Sequence, residues 1–262
     1  MDNMLKQGIY EQIVNTKIKN ELGKLDLSQY DIRLENLDAD DARKILTIYI
    51  SYIIQRGLKY IRDSFNSKED KESLTAQIKL CNDIINEIIQ HSGESDFKDF
   101  HILEKGEVLT ALYSKMNSAR GIDSKPIIRP NTSILESTLF TGSKQEPDML
   151  SEIKKEIVSC DSIDLLVSFI KWSAIRRIIN ELREFTEREG TRLRIITTTY
   201  MQATDYKAII KLAELKNAEI KVNYETNHMR MHAKSYLFKR NTGFTVAYIG
   251  SSNLSNPALT EG

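Results

Sequence analysis

The feature that most constrains the fold is a regular alternation of apolar and amphipathic segments after residue 147. Strands are predicted at residues 163–169, 193–198 and 219–224, and helices at residues 149–160, 173–189 and 205–215. A hairpin of two further strands, 233–238 and 244–249, follows, joined by a polar turn at 239–243. Continuous apolar strands separated by helices are typical of a layered α/β domain with a largely buried sheet.

The front half has a different pattern, with apolar residues recurring at helical spacing. Helices are predicted around residues 9–18, 40–63 and 71–90, with a shorter one near 107–116. Their apolar stripes are interpreted as faces that pack against one another, and a groove for a partner helix is the alternative. The residues between the halves are rich in Pro, Gly, Ser and Thr. The predicted organisation is therefore a helical domain at 1–120, a linker at 121–146 and an α/β domain at 147–262.

Charge and composition exclude several classes of protein. Lys plus Arg and Asp plus Glu both number 37, so a nucleic-acid interface would have to depend on local charge. Cys81 and Cys160 are too few for a disulfide framework or a metal cluster. Neither a P-loop nor a dinucleotide-binding glycine motif is present. Without a secretory signal or an apolar run of about 18 residues, we expect a cytoplasmic protein that makes no contact with a membrane.

The candidate site combines His232-Ala233-Lys234 with the segment Gly250-Ser251-Ser252-Asn253. Antiparallel pairing about the hairpin turn predicts that His232 lies opposite Gly250 or Ser251. Strand alternation predicts that His232 and Lys234 share one face of the sheet. Two separate stretches of the chain are thus predicted to meet at one point.

These residue types suit phosphodiester chemistry. A neutral imidazole at His232 can attack phosphorus and form a phosphohistidine intermediate. The Lys234 ammonium can offset charge on the phosphoryl oxygens. Asn253 can donate a hydrogen bond to a non-bridging oxygen, and the Ser251 hydroxyl can orient His232 or the phosphate. Such a site requires no metal ion.

The motif resembles that of the phospholipase D superfamily, which is H-x-K, four residues, Asp, and then G-S-x-N. The match comprises His232, Lys234, Gly250, Ser251 and Asn253, whereas Lys239 stands where the superfamily has Asp. Residues 139–142, 164–172, 195–205 and 232–238 resemble one branch, the nuclease-like domain at the front of large bacterial helicase proteins. Some of these proteins are modification-dependent, ATP-driven restriction endonucleases. The resemblance covers residues from about 135 to 262.

The resemblance implies a DNA endonuclease whose leaving oxygen is protonated by the histidine of a second motif copy. The other three histidines of the chain lack the motif, so we expect a homodimer, formed through the strand face that carries His232, that shares one composite active site. A glutamate beyond G-S-x-N often joins such sites, which makes Glu261 a candidate. Because the chain stops inside this motif, we expect a fragment of a longer protein. ATP and Mg²⁺ would then serve only downstream helicase domains, and no cofactor is expected here.

Further residues are candidates for binding the substrate. Ligands collect at the carboxyl ends of strands in layered α/β domains. Lys171 and Trp172 follow the first strand, and Thr199 and Tyr200 follow the second. Trp172 and Tyr200 could stack on DNA bases, although Trp172 could equally pack against the following helix. Arg230 and Ser252 complete the set of candidate substrate-binding residues.

Two other functions remain open. The fold could persist as a non-catalytic dimerisation or DNA-binding scaffold, which the missing Asp and the neutral net charge would suit. A phospholipase or phosphatidyl transferase is the second alternative. The absence of a membrane segment and of a second motif copy counts against it.

Overall fold

The structure is a computed structural model that describes residues 5–66, 68–112, 128–140, 147–225 and 231–260. The chain divides into two compact units, Met1–Thr110 and Ala111–Gly262. Each unit has its own secondary structure: the first is helical, and the second contains the sheet and the candidate site.

The first unit contains three α-helices, α1 (Thr16–Leu22), α2 (Ala39–Asp63) and α3 (Asp70–Ser92), followed by a 3₁₀ helix (Ser95–Phe100). Asp38 begins α2 because its side chain accepts a hydrogen bond from the Asp40 N–H. Gly93, with a φ of 72°, ends α3 in the left-handed conformation that favours glycine. The prediction of a helix near residues 107–116 is wrong for residues 107–112, which are not helical. The other residues of that segment lie outside the described residues.

The apolar stripes of the first unit bury little surface. No residue of α2 is buried, and in α3 only Ser73 and Ile78 are. Leu46 and Ile53, both in the predicted stripe of α2, are 46% and 40% exposed. α2 and α3 do pack against one another, but the stripe of α2 is only partly covered. Periodicity identifies an amphipathic helix, but it does not show whether a partner covers the apolar side.

The second unit is built around one mixed sheet of five strands. Its elements in chain order are α4 (Met149–Ser159), β1 (Ser162–Val167), α5 (Trp172–Glu187), β2 (Arg192–Thr198), a 3₁₀ helix (Tyr200–Gln202), α6 (Tyr206–Ala213), β3 (Ala218–Asn223), β4 (Lys234–Lys239), β5 (Val246–Ile249) and α7 (Asn256–Thr260). The strand order is β3-β2-β1-β4-β5. Strands β1, β2 and β3 are parallel, whereas β4 runs antiparallel to β1 and β5 antiparallel to β4. The predicted layered α/β fold is confirmed.

Only one face of this sheet is buried. Ile163, Leu165 and Val167 of β1 point into a core to which α4, α5, α6 and α7 all contribute. On the other face, Ile196 is 41% exposed and Ile249 is 82% exposed. The expectation of a largely buried sheet is thus corrected to burial of one face. Apolar residues on both faces of a strand cannot by themselves show which layers are present.

Lys239 occupies the position where the resemblance would place an Asp. Its charge is paired with Asp164 on the exposed face of the sheet. Asp164 of β1 accepts hydrogen bonds from Arg194 Nε at 2.6 Å through Oδ1 and from Arg194 Nη2 at 2.7 Å through Oδ2, and Lys239 Nζ lies 3.1 Å from Oδ2. The Arg194 guanidinium, and then Lys239, hold the pKa of Asp164 below its ordinary value. A carboxylate on the neighbouring strand therefore compensates the substituted lysine.

Asp164→Asn should lower the free energy of unfolding by about 1–2 kcal/mol near neutral pH, because the charge-assisted hydrogen bonds to Arg194 weaken. A carboxyl with a lowered folded pKa contributes stability above its unfolded pKa of 3.8, and that stability is lost as pH falls through the folded value. The difference from wild type should therefore shrink in acid, as urea unfolding at about pH 7 and pH 3 would show. Glu214→Gln, at an exposed carboxylate, is the control. If the difference in unfolding free energy between the variant and wild type did not vary with pH, the ion pair would not stabilise the fold as predicted.

Candidate active site

The first half of the candidate site lies where β4 begins beside the end of β1. Lys234 is the register partner of Val167. The backbone N–H of Ser168 donates to the Ala233 carbonyl at 3.1 Å, and the buried Ser168 hydroxyl donates to the same oxygen at 3.2 Å. Ser168 thereby holds the peptide that separates His232 from Lys234, a role that the motif itself does not indicate.

The two motif side chains meet. Lys234 Nζ lies 2.9 Å from His232 Nε2 and donates to the His232 carbonyl at 3.0 Å. An ammonium can only donate, so His232 Nε2 must carry a lone pair in this arrangement. His232 is exposed, whereas Lys234 is only 6% exposed, and this burial lowers the pKa of Lys234. The structure therefore combines a solvent-accessible imidazole with a buried cation.

The second half of the site is a corner formed by residues 250–254 after β5. The Gly250 N–H donates to the Lys234 carbonyl at 3.3 Å, so strand pairing extends to Lys234 and Gly250. Gly250 therefore lies opposite Lys234, so the expectation that Gly250 lies opposite His232 is wrong. The Tyr236 hydroxyl donates to the Ser252 carbonyl at 2.9 Å. Both motif segments thus lie at one edge of the sheet.

The far side of the corner is tied to the loop after β1. The Leu254 N–H donates to the Phe169 carbonyl at 3.1 Å, and the Lys171 N–H donates to the Leu254 carbonyl at 2.8 Å. Between these bonds and β5, Ser251 is exposed, and the Asn253 Oδ1 atom is buried without a hydrogen-bond partner. A carboxamide oxygen can only accept, so a phosphate oxygen would have to be bound by the Nδ2 group of Asn253 instead.

Lys171 and Trp172 are held by a carboxylate that the sequence reasoning did not single out. Asp205 accepts a hydrogen bond from the backbone N–H of Trp172 at 2.8 Å and another from Lys171 Nζ at 3.2 Å. The Trp172 N–H, and then Lys171, lower the pKa of Asp205. Trp172 packs against the core, and Lys207 Nζ lies 4.7 Å from the centre of its ring. Trp172 thus contributes to the core, and its ring also contacts a cation.

Thr199 and Tyr200 lie at the same edge of the sheet, after β2. The Thr199 N–H donates to the Asn223 carbonyl at 3.1 Å, and the Tyr200 N–H donates to the Thr198 hydroxyl at 3.1 Å. The following two residues have left-handed φ values of 55° and 53° although neither is glycine. Strand order places these residues two strands from β4, so they are further from His232 than Lys171 is.

Two candidate residues cannot be placed. Arg230 and Glu261 both lie outside the described residues, as does His228, so their roles remain predictions.

Among the residues that the structure does describe, no three His, Cys, Asp or Glu side chains are grouped so that they could hold a metal ion. In the same residues, no helix is both long and apolar enough to span a bilayer.

The mixed sheet, with H-x-K at the start of one strand and G-S-x-N after its antiparallel neighbour, defines a phospholipase D-like domain. In agreement, residues 150–261 match the family model described as "Cardiolipin synthase, PLD-like domain". The match supports the phospholipase D superfamily and, at the level of that superfamily, a phosphodiester-related activity. A search of curated proteins found no match.

Proposed function

We propose that the phospholipase D-like domain is a metal-independent DNA endonuclease in which His232 is the nucleophile. The observation that carries the proposal is the 2.9 Å contact between His232 Nε2 and Lys234 Nζ. If Lys234 is an ammonium, the contact leaves a lone pair on the ring nitrogen beside a buried cation, and attack on a phosphodiester would use both groups.

In the first step, His232 Nε2 forms a bond to phosphorus, and the bond between phosphorus and the leaving oxygen breaks. The Lys234 ammonium shifts from the ring nitrogen to a phosphoryl oxygen, where it offsets the developing charge. Ser251 and Asn253 supply hydrogen bonds to the same phosphate. In the second step, a water oxygen bonds to phosphorus, the phosphorus–nitrogen bond breaks, and the water gives its proton to the group that protonated the leaving oxygen, which regenerates both.

The leaving oxygen needs a proton, and we propose that the His232 of a second copy supplies it. The sheet face that carries Lys234 and Tyr236 is covered by helices, so a partner could not dock along that face. His232 itself lies before β4 and is exposed. The proposed dimer therefore brings the two histidines together at the strand end rather than across the strand face.

The proposed substrate is DNA, and the proposed setting is a nuclease module of a larger ATP-dependent restriction protein with a helicase. The support comes from the resemblance over residues 139–142, 164–172, 195–205 and 232–238. Lys207 beside the Trp172 ring offers a cation and an aromatic surface near the corner, a combination found in proteins that bind single strands. Arg230 and Glu261 are proposed as further contacts.

A phosphatidyl transferase is the second candidate, favoured by the description of the matched family as cardiolipin synthase. Its chemistry would use the same phosphohistidine, with a lipid alcohol in place of water as the acceptor. A scaffold without catalysis is the third candidate. The contact between His232 and Lys234 argues against it, because a cation buried beside an accessible imidazole has no evident structural purpose.

Supercoiled plasmid incubated with the protein in EDTA should be converted to the nicked form. A parallel reaction with vesicles of phosphatidylglycerol tests the lipid candidate through release of glycerol. Nicking in EDTA supports the nuclease, whereas glycerol release without nicking would replace it with the transferase. Nicking that requires Mg²⁺ would refute the histidine mechanism, and inactivity on both substrates would favour the scaffold.

A further inference from the structure

A buried tyrosine links the strand that carries the motif to the corner. Tyr236 lies two residues after Lys234 on β4, on the same face of the sheet, and is 1% exposed. Its hydroxyl donates to the Ser252 carbonyl at 2.9 Å. Burial raises the pKa of Tyr236 well above its ordinary value, so the hydroxyl keeps its proton at neutral pH.

A side-chain hydrogen bond is needed to hold the corner because the backbone pairing of β4 with β5 stops before it. The last backbone hydrogen bond between β4 and β5 joins the Gly250 N–H to the Lys234 carbonyl. The next backbone anchor is Leu254, which bonds to Phe169. Ser251, Ser252 and Asn253 span the gap, and the phenol of Tyr236 holds the middle residue of the three.

We propose that Tyr236 is a positioning residue that orients Ser251 and Asn253 around the phosphate that His232 attacks. The inference rests on the proposed function, because it assigns the corner as the subsite for the non-bridging phosphate oxygens. Positioning of this kind is valuable because reaction rates fall steeply when supporting groups move by an ångström. Tyr236 itself touches neither phosphate nor the reacting nitrogen.

The chain offers a matched control for removing this hydroxyl. Tyr248 is the cross-strand partner of Tyr236, is 9% exposed, and also uses its hydroxyl in a hydrogen bond. That bond, 3.1 Å to Glu156 Oε1, leads away from the corner. Tyr236→Phe and Tyr248→Phe therefore make the same chemical change on one sheet face, and Tyr248→Phe should lower the melting temperature at least as much because its acceptor is a carboxyl group.

The first measurement is the affinity for tungstate, an oxyanion that mimics phosphate, by calorimetry. We expect Tyr236→Phe to weaken binding about tenfold, the effect of losing one well-placed hydrogen bond, and Tyr248→Phe to leave it unchanged. The second measurement is single-turnover nicking, in which Tyr236→Phe should lower the rate about tenfold relative to Tyr248→Phe. Equal effects of the two variants on tungstate binding, or no binding by wild type, would overturn the inference.

The two measurements separate this inference from the nuclease proposal. If wild type binds tungstate with the expected difference between the variants but nicks no DNA, Tyr236 positions the corner and the DNA reaction is wrong. If wild type nicks DNA and both variants nick equally well, the nuclease stands and the role of Tyr236 is refuted.

Discussion

His232→Ala is expected to abolish nicking, with a loss of rate of at least about a thousandfold. The substitution removes the nitrogen that forms the bond to phosphorus, and no neighbouring group replaces it in the proposed mechanism. It also leaves Lys234 Nζ without its 2.9 Å acceptor, so the cation remains while the nucleophile is lost. The rate of conversion of supercoiled plasmid in EDTA, with enzyme in excess, is the measurement.

The fold should survive this change, because His232 is exposed and lies just before the start of β4. Its melting temperature should stay within about 3 °C of wild type, in the range of surface substitutions. His101→Ala is the matched control: His101 lies in the first unit, where its Nε2 is 2.9 Å from Asn86 Oδ1. Wild-type nicking by the His232 variant would eliminate the proposed mechanism.

Arg240→Met is expected to lower the free energy of unfolding by about 3–5 kcal/mol, the usual result of removing one partner of a buried ion pair. Arg240 Nη2 lies 2.5 Å from Glu156 Oε2 and 2.8 Å from the Ser159 hydroxyl. The Glu156 side chain is completely buried and also accepts a hydrogen bond from Tyr248. Met fills similar space, so the loss reports the uncompensated charge, and urea unfolding measures it.

The pH dependence of this loss is a further check. Burial raises the pKa of Glu156, although the hydrogen bond from Arg240 opposes the shift. A carboxyl whose folded pKa is raised binds its proton more tightly when folded, so its contribution to stability falls as pH rises above the unfolded pKa of 4.5. Without Arg240 the pKa should rise further, and the destabilisation should be larger at neutral pH than in acid.

Lys239→Met provides the control for this experiment. It removes a cation from the adjacent residue, but Lys239 is 42% exposed, and its ion pair with Asp164 lies on the open face. Solvent screening limits such a pair to about 1 kcal/mol or less. If Arg240→Met cost no more than Lys239→Met, the buried cluster would not stabilise the domain as proposed.

Much of the second unit could be predicted because its signals are local. The strands and helices after residue 147 occur near the expected positions, since period-2 and helical patterns act within each segment. α7, the five-residue helix Asn256–Thr260, was not predicted because it is too short to show a period. One feature of the sequence points to Tyr236: it is spaced to lie on the same face of the strand as His232 and Lys234. That spacing does not reveal which group accepts its hydrogen bond.

What the sequence determined by itself was the existence of the hairpin, and hence that the strand carrying Lys234 pairs with the strand that leads into the G-S-S-N corner. Alternation along one strand and a short connection are local constraints that suffice for this pairing, although not for its register. Only the tertiary structure decided which sheet face is covered, that Asp164 compensates Lys239, and that Asp205 holds Trp172. These pairings depend on strand order and on contacts between residues far apart in the chain, which no local periodicity specifies.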